Sequence, residues 1–219
     1  MKRISILAVA LALSACSTDT QTGDAGDDGI PSGTYAIDPE NTYLTFYYLH
    51  QGYSYPLLRA TDIAGELEYD ADNLENSSVI VSIATNSIRS NLDHFDDELA
   101  SRKFFNADRY PHITFRSERY EAVGENQGIV HGQVTIRGIT QPLELGVKLN
   151  AALIHPILET PVVGFSATGA LSRSDFGLDR NVPVVSDTVE FRIETEFMHG
   201  STDASKAAVA TASQTAAGM

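Results

Sequence analysis

One cysteine, no tryptophan and a shortage of basic residues define this 219-residue chain, in which 15 Lys and Arg stand against 29 Asp and Glu. A lone thiol excludes a disulfide framework, a Cys-x-x-Cys redox pair and a thiolate zinc site. A formal charge of −14 excludes the basic footprint by which proteins hold nucleic acid. A membrane helix needs roughly 20 apolar residues, and the stretch from Ile4 to Leu13 is half that. Histidines at 50, 94, 112, 131, 155 and 199 show no ligand spacing, and no phosphate-cradling or dinucleotide glycine motif is present. The nearest approach to a hydrolase elbow, Gly164-Phe165-Ser166-Ala167-Thr168, lacks the final glycine and lies mid-strand. Asp93, His94, Asp96 and Asp97 cluster without the glycine and closing Glu of a calcium loop, and acids at a helix start are favoured by the dipole. No catalytic residue, metal or resident cofactor is expected, and the chain does not read as an enzyme.

What is present begins with Lys2 and Arg3 ahead of that short apolar stretch, the pattern of a signal peptide over residues 1–15. It closes on Leu13-Ser14-Ala15-Cys16, which resembles the lipobox of bacterial lipoproteins, where the cysteine is acylated and becomes the new N-terminus. Ser17 rather than an aspartate follows, which by the same resemblance sorts the protein to the outer membrane, facing the periplasm. Loss of the two basic residues takes the charge to −16. Residues 16–32 are Ser, Thr, Asp, Gly and Gln with little to bury and read as a flexible tether. Residues 199–219 carry alanines but no amphipathic stripe, so a disordered tail is expected. One folded domain remains, residues 33–198.

Its dominant signal is alternation. In Thr188 to Phe197, Val189, Phe191, Ile193 and Phe197 face one way and Glu190, Arg192, Glu194 and Glu196 the other. Leu143 to Leu149 repeats this, and weaker runs occur at Tyr43–Leu49, Ile63–Tyr69, Ser78–Ala84, His112–Tyr120, Ile129–Ile136 and Val162–Ser172. Turn-rich links at Asp70–Asn73, Gly124–Gly128 and Arg137–Pro142 imply antiparallel neighbours. Leu92, Phe95 and Leu99 predict one short helix, with Asn91 or Asp93 as its N-cap. Eight antiparallel strands with one apolar face close most economically into a barrel. A membrane-spanning barrel would turn its apolar band outward between aromatic girdles, whereas the wet face here mixes Glu, Arg and Lys. The expected class is therefore all-β, an eight-stranded antiparallel lipocalin-like barrel with a short helix alongside, its lumen either filled or open to one ligand.

Three stretches then carry a resemblance: Leu99-Ala100-Ser101-Arg102-Lys103-Phe104-Phe105-Asn106-Ala107-Asp108-Arg109-Tyr110-Pro111-His112-Ile113-Thr114-Phe115, Gly132-Gln133-Val134-Thr135-Ile136-Arg137-Gly138-Ile139-Thr140-Gln141-Pro142 and Ser172-Arg173-Ser174-Asp175-Phe176-Gly177-Leu178. In order and spacing they resemble the YceI-like family, lipocalin-like proteins that bind polyisoprenoids. Tyr35-Ala36-Ile37-Asp38 resembles the family's start, while Tyr35 and Asn41 stand where it often has Trp and His, and Gln51–Asp62 departs from its pattern. The resemblance implies a lumen that takes a long isoprenoid or similar lipid or quinone, for storage or transport in the cell envelope. The candidate lumen residues are Phe46, Phe104, Phe105, Phe115, Leu145, Val147, Phe165, Phe176, Phe191 and Ile193, with Arg173, Asp175 and Arg180 as head-group candidates. In the Asp-Phe-Gly loop the structural alternative is an Arg173–Asp175 pair fixing a turn, with Gly177 at positive φ. The alternative function is a filled envelope lipoprotein acting through protein contacts, with a link to stress. Partners are thus a lipid ligand and, through Cys16, a membrane; a homodimer is compatible with this pattern.

Overall fold

The computed structural model describes residues 29–217. The expected signal peptide, Cys16 and most of the tether lie outside the described residues. Eleven strands form one antiparallel sheet: β1 (Gly33–Ile37), β2 (Tyr43–His50), β3 (Leu57–Ala60), β4 (Ile63–Tyr69), β5 (Ser78–Ala84), β6 (Ile88–Arg89), β7 (His112–Gly124), β8 (Gln127–Ile136), β9 (Ile139–Ile154), β10 (Pro161–Ser172) and β11 (Val185–His199). Among the described residues two α-helices accompany them, α1 (Asp93–Ala100) and α2 (Asp203–Ala217), and no described helix is long and apolar enough to cross a membrane.

The order β1-β4-β5-β7-β8-β9-β10-β11 closes through β11–β1 pairing into an eight-stranded barrel. The three remaining strands prolong it. β2 takes the same edge of β11 as β1, with Phe46 opposite Phe191 where Ile37 meets Phe197. β3 pairs β2 and β6 pairs β3, as β4 pairs β1 and β5 pairs β4. β1–β2, β3–β4 and β5–β6 are therefore three long strands kinked at residues 38–42, 61–62 and 85–87. The kinks are stitched together, since Thr61 N–H reaches the Ser87 carbonyl at 3.2 Å and Ala84 N–H the Asp62 carbonyl at 3.0 Å. All eight segments expected from alternation lie on different members of this ring.

Local chemistry sets the corners. Arg137 and Gly138 both have positive φ, 54° and 73°, the two-residue turn whose twist suits a hairpin; β9 therefore starts at Ile139, and Thr140-Gln141-Pro142 belong to the strand rather than the expected turn. Asp70 Oδ1 accepts the N–H groups of Asp72 and Asn73 at 3.0 and 2.9 Å, forming the β4–β5 corner. The N-cap of α1 is Leu92, which makes no side-chain cap, in place of Asn91 or Asp93. Asp96 instead reaches back to Ser90, accepting its N–H and O–H at 2.6 Å each.

The expected disordered tail is corrected by α2. Thr202 and Ser205 cap it reciprocally, each side-chain oxygen accepting the other's N–H at 3.0 and 2.9 Å. Ser205, Ala208 and Ala212 are buried at i, i+3 and i+7, and Ser205 Oγ donates to Glu66 Oε1 at 2.6 Å. The stripe is made of small residues that let the helix lie close against β4 and β5, and a hydrophobicity pattern gives such residues little weight.

Candidate ligand-binding site

Inward side chains alternate along every strand, yet many that point inside are only half-buried: Leu44, Val81, Val130, Val147, Leu149, Phe165 and Ile193 among them. Their free surface faces a cavity of about 430 Å³, within the range of small-molecule sites. The barrel is hollow, which speaks against the filled-core alternative.

Aromatic rings keep it so by lying along the wall. Gly169 is paired directly with Phe191, and a Cβ there would stand 2.5 Å from Phe191 Cζ. A Cβ on Gly132 would meet Phe115 Cζ at 2.6 Å and one on Gly128 would meet Tyr120 Cε2 at 2.2 Å. Each of these glycines makes room for a ring on the neighbouring strand. The rings supply apolar surface without filling the interior.

One end is sealed. Tyr35 and Val163 are fully buried there with Ile30, Ile37, Leu67, Tyr69 and Phe197. Tyr35 donates its O–H to the Pro31 carbonyl at 2.6 Å and meets the Tyr69 ring edge-on at 5.7 Å. Burial, with the neighbouring Tyr69 adding to it, pushes the Tyr35 phenol up to about 12. At the other end α1 and residues 101–106 cap the barrel, Phe95 and Phe104 meeting edge-on at 6.0 Å over Leu58, Ile88 and Leu99. Most polar side chains on the cavity wall lie in two places. His50, Arg173, Arg180 and Asn181 stand at the α1 end; Ser77, Ser78, Ser117 and Arg119 line a seam where β5 parts from β7 beyond Ile80–Arg116. Ser117 Oγ occupies that seam by accepting Val79 N–H at 2.8 Å.

Nine of the ten lumen candidates line this cavity: Phe46, Phe104, Phe105, Phe115, Leu145, Val147, Phe165, Phe191 and Ile193. Phe176 does not. It is buried in the turn after β10, in one cluster with Leu178 but outside the lumen, because the chain leaves the strand at Ser172 and alternation no longer sets its direction. The three head-group candidates separate as well. Asp175 is exposed away from the cavity, its carbonyl accepting from Gln141 Nε2 at 3.5 Å. Arg173 is a brace: its guanidinium donates to the carbonyls of Ser186 (2.9 Å), Arg180 (2.9 Å), Val185 (3.1 Å) and Leu178. Burial lowers its pKa, opposed by Asp187, which itself accepts the N–H and O–H of Ser174. The expected Arg173–Asp175 pair is thus replaced by bonds to backbone, while Gly177 does take positive φ, 68°. Arg180 is exposed at the cavity wall, 3.3 Å from Glu98 and over the Phe104 ring at 5.8 Å.

The remaining sequence candidates fall elsewhere. Ser166 sits on the outer face of β10, donating to Glu194 Oε2 at 2.6 Å and accepting from Asn150 at 2.8 Å. Among the described residues no group of three or more His, Cys, Asp or Glu is placed to hold a metal ion.

A family model described as the YceI-like domain matches residues 35–197, nearly the whole barrel. The chain belongs to the YceI-like family. Among YceI-like relatives, a UPF0312 protein of Shewanella baltica is 31% identical over 170 residues, covering 74% of this chain and 85% of the relative. One from Ectopseudomonas mendocina is 29% identical over 164 residues, with the same coverage. Solved structures share the fold: Burkholderia cenocepacia BcnA (TM-score 0.66, 18% identity, 73% of this chain and 98% of that one) and the Campylobacter jejuni YceI protein (0.61, 25%, 66% and 85%). A polyisoprenoid binding domain from Saccharophagus degradans matches at 0.55 with 16% identity, covering 75% of this chain and 97% of that one.

Proposed function

We propose that this YceI-like protein holds a long apolar chain molecule, a polyisoprenoid or similar lipid or quinone, in the barrel lumen, for storage or transport in the cell envelope. The observation that carries the reading is the hollow apolar interior, walled by rings laid flat over glycines. The likeness to a fold described as a polyisoprenoid binding domain supports it. Burying five carbons per isoprene unit at about 0.8 kcal/mol each gives about 4 kcal/mol per unit as a ceiling, before ordering costs are subtracted. A few units suffice for retention. Arg180 takes the head group in this reading, since the donors of Arg173 are committed to carbonyls. Acylation at Cys16 holds the domain at the outer membrane, on its periplasmic side.

Organic extraction of Cys16→Ala protein, which lacks the anchor and is purified from the envelope without detergent, followed by mass spectrometry, is expected to return one long-chain isoprenoid lipid near one per protein. A clean extract rejects lumenal carriage. Separately, labelled palmitate is expected on the wild type and absent from Cys16→Ala, and an unlabelled wild type rejects the anchor alone.

A further inference from the structure

At the sealed end, β9 and β10 outrun their neighbours. β8 leaves β9 at Gln127–Lys148, and β11 leaves β10 at Met198–Val162. Apart from one bond from Leu149 N–H to the Asn126 carbonyl, β9 continues with β10 alone, while β10 keeps β11 on its other edge as far as Val162, so that the Ile154–Pro161 pair and the turn stand clear of both neighbours. The tip beyond is strongly aliphatic: Leu153, Ile154, Ile157 and Leu158 are 55%, 47%, 83% and 52% exposed. No Asp, Glu, Lys or Arg lies between Lys148 and Glu159.

The tip also pairs its own backbone N–H groups. His155 N–H bonds the Thr160 carbonyl at 2.8 Å and Glu159 N–H the His155 carbonyl at 2.9 Å. His155 Nδ1 accepts the N–H groups of Ile157 and Leu158 at 3.3 and 3.1 Å, and Thr160 Oγ1 caps the Leu158 carbonyl at 3.1 Å. Every N–H from His155 to Glu159 is paired, Pro156 having none. N–H groups already bonded lose little when water is withdrawn.

We propose that this hairpin tip is a finger that enters the interfacial layer of a phospholipid bilayer. A projecting aliphatic tip suits a fluid surface that yields around it, and its one charged residue, the exposed Glu159, together with the acidic chain as a whole favours zwitterionic over anionic lipid. Direction agrees. The N-terminal segment leaves the barrel at this same end, where Pro31 bonds Tyr35 and Ser32 Oγ accepts Ala71 N–H at 2.9 Å. About 13 residues separate Cys16 from Gly29, a reach of about 45 Å at most. That last step rests on the proposed anchor; the character of the tip does not.

The test uses the full lipidated chain in phosphatidylcholine vesicles. Acylation of Cys16 leaves a new thiol as the single labelling site, so Ile157→Cys and, at the opposite end, Tyr53→Cys each carry an environment-sensitive dye. Both chains are expected to float with the vesicles, with at least a twofold loss of emission from lipid brominated near the head group at position 157 and none at position 53. Flotation without quenching at 157 overturns the finger and leaves the anchor intact. A chain that stays in the soluble fraction overturns both. A blue shift at 157 that grows with protein concentration without vesicles assigns the tip to a second copy and overturns the bilayer. Ile157→Asp with Leu158→Asp, both at exposed positions, is expected to remove a twofold or larger protection of the tip from protease by vesicles, with the melting temperature unchanged.

Discussion

Single residues decide whether this barrel holds anything. At Gly169 an added methyl stands 2.5 Å from Phe191 Cζ and 3.1 Å from Leu145 Cδ2, so the ring has to swing off the wall and into the lumen. Gly169→Ala is therefore expected to weaken binding of a fluorescent long-chain fatty acid by about tenfold, about 1.4 kcal/mol. Phe191→Leu in the same chain is expected to restore it, since the obstruction is a movable side chain. Gly132 behaves differently, because there the methyl would stand 2.3 Å from the Arg116 carbonyl oxygen, which cannot rotate away. Gly132→Ala is expected to cost stability, about 1–3 kcal/mol by urea titration, and Phe115→Leu is not expected to rescue it. Rescue in the first case and its absence in the second separate a ring that shapes the lumen from a backbone contact that holds the wall.

At the scale of elements, α1 is held by an acid that anchors the residues before it. Ser90, through its O–H and then its N–H, together with Arg89 at 4.0 Å, holds the Asp96 carboxyl below the usual carboxylate range against the opposing effect of burial. A carboxylate with a depressed folded pKa contributes stability that is complete above its unfolded value of about 3.9 and is lost as pH falls through the folded value. Protection of the amides over Leu92–Ala100, relative to the intrinsic exchange rate at each pH, is expected to fall from about pH 4 downward, and Asp96→Ala to show the low protection already at neutral pH, with a loss of about 1–3 kcal/mol. No change in that segment would show that Phe95 and Leu99 hold α1 unaided. The eight long alternating segments were legible in the sequence because half-wet strands advertise themselves by period two. β1, β3 and β6 were not, being two to five residues long and cut off by kinks whose hydrogen bonds come from distant chain. α2 escaped because its buried stripe is Ser205, Ala208 and Ala212, although Thr202 and Ser205 form a readable capping pair. Within the site, the nine lining positions followed from alternation or from aromatic bulk. The glycines that give Phe115 and Phe191 their room were invisible, because a position without a side chain leaves no mark in a hydrophobic pattern.

At the scale of the molecule, a hollow barrel and a packed one answer the same substitutions with opposite sign. In a close-packed interior, adding a phenyl ring forces neighbours off their rotamers and costs about 1–3 kcal/mol. Here Val147 and Ile193 both border the cavity and are only half-buried, so a larger side chain at either meets vacant space and gains contacts. Val147→Phe with Ile193→Phe is expected to raise the melting temperature of lipid-stripped protein while abolishing uptake of the fluorescent fatty acid. The wild type is expected to show the complementary behaviour. A ligand that binds only the folded barrel adds about 2.7 kcal/mol at a hundredfold excess over its Kd, which for a domain of this size raises the melting temperature by about 5–11 °C. The double variant, with its lumen occupied from within, is expected to melt at one temperature whether or not lipid is added. A double variant that melts below the stripped wild type would mean that the space between these walls is already taken up by side chains, and lumenal carriage would have to be abandoned.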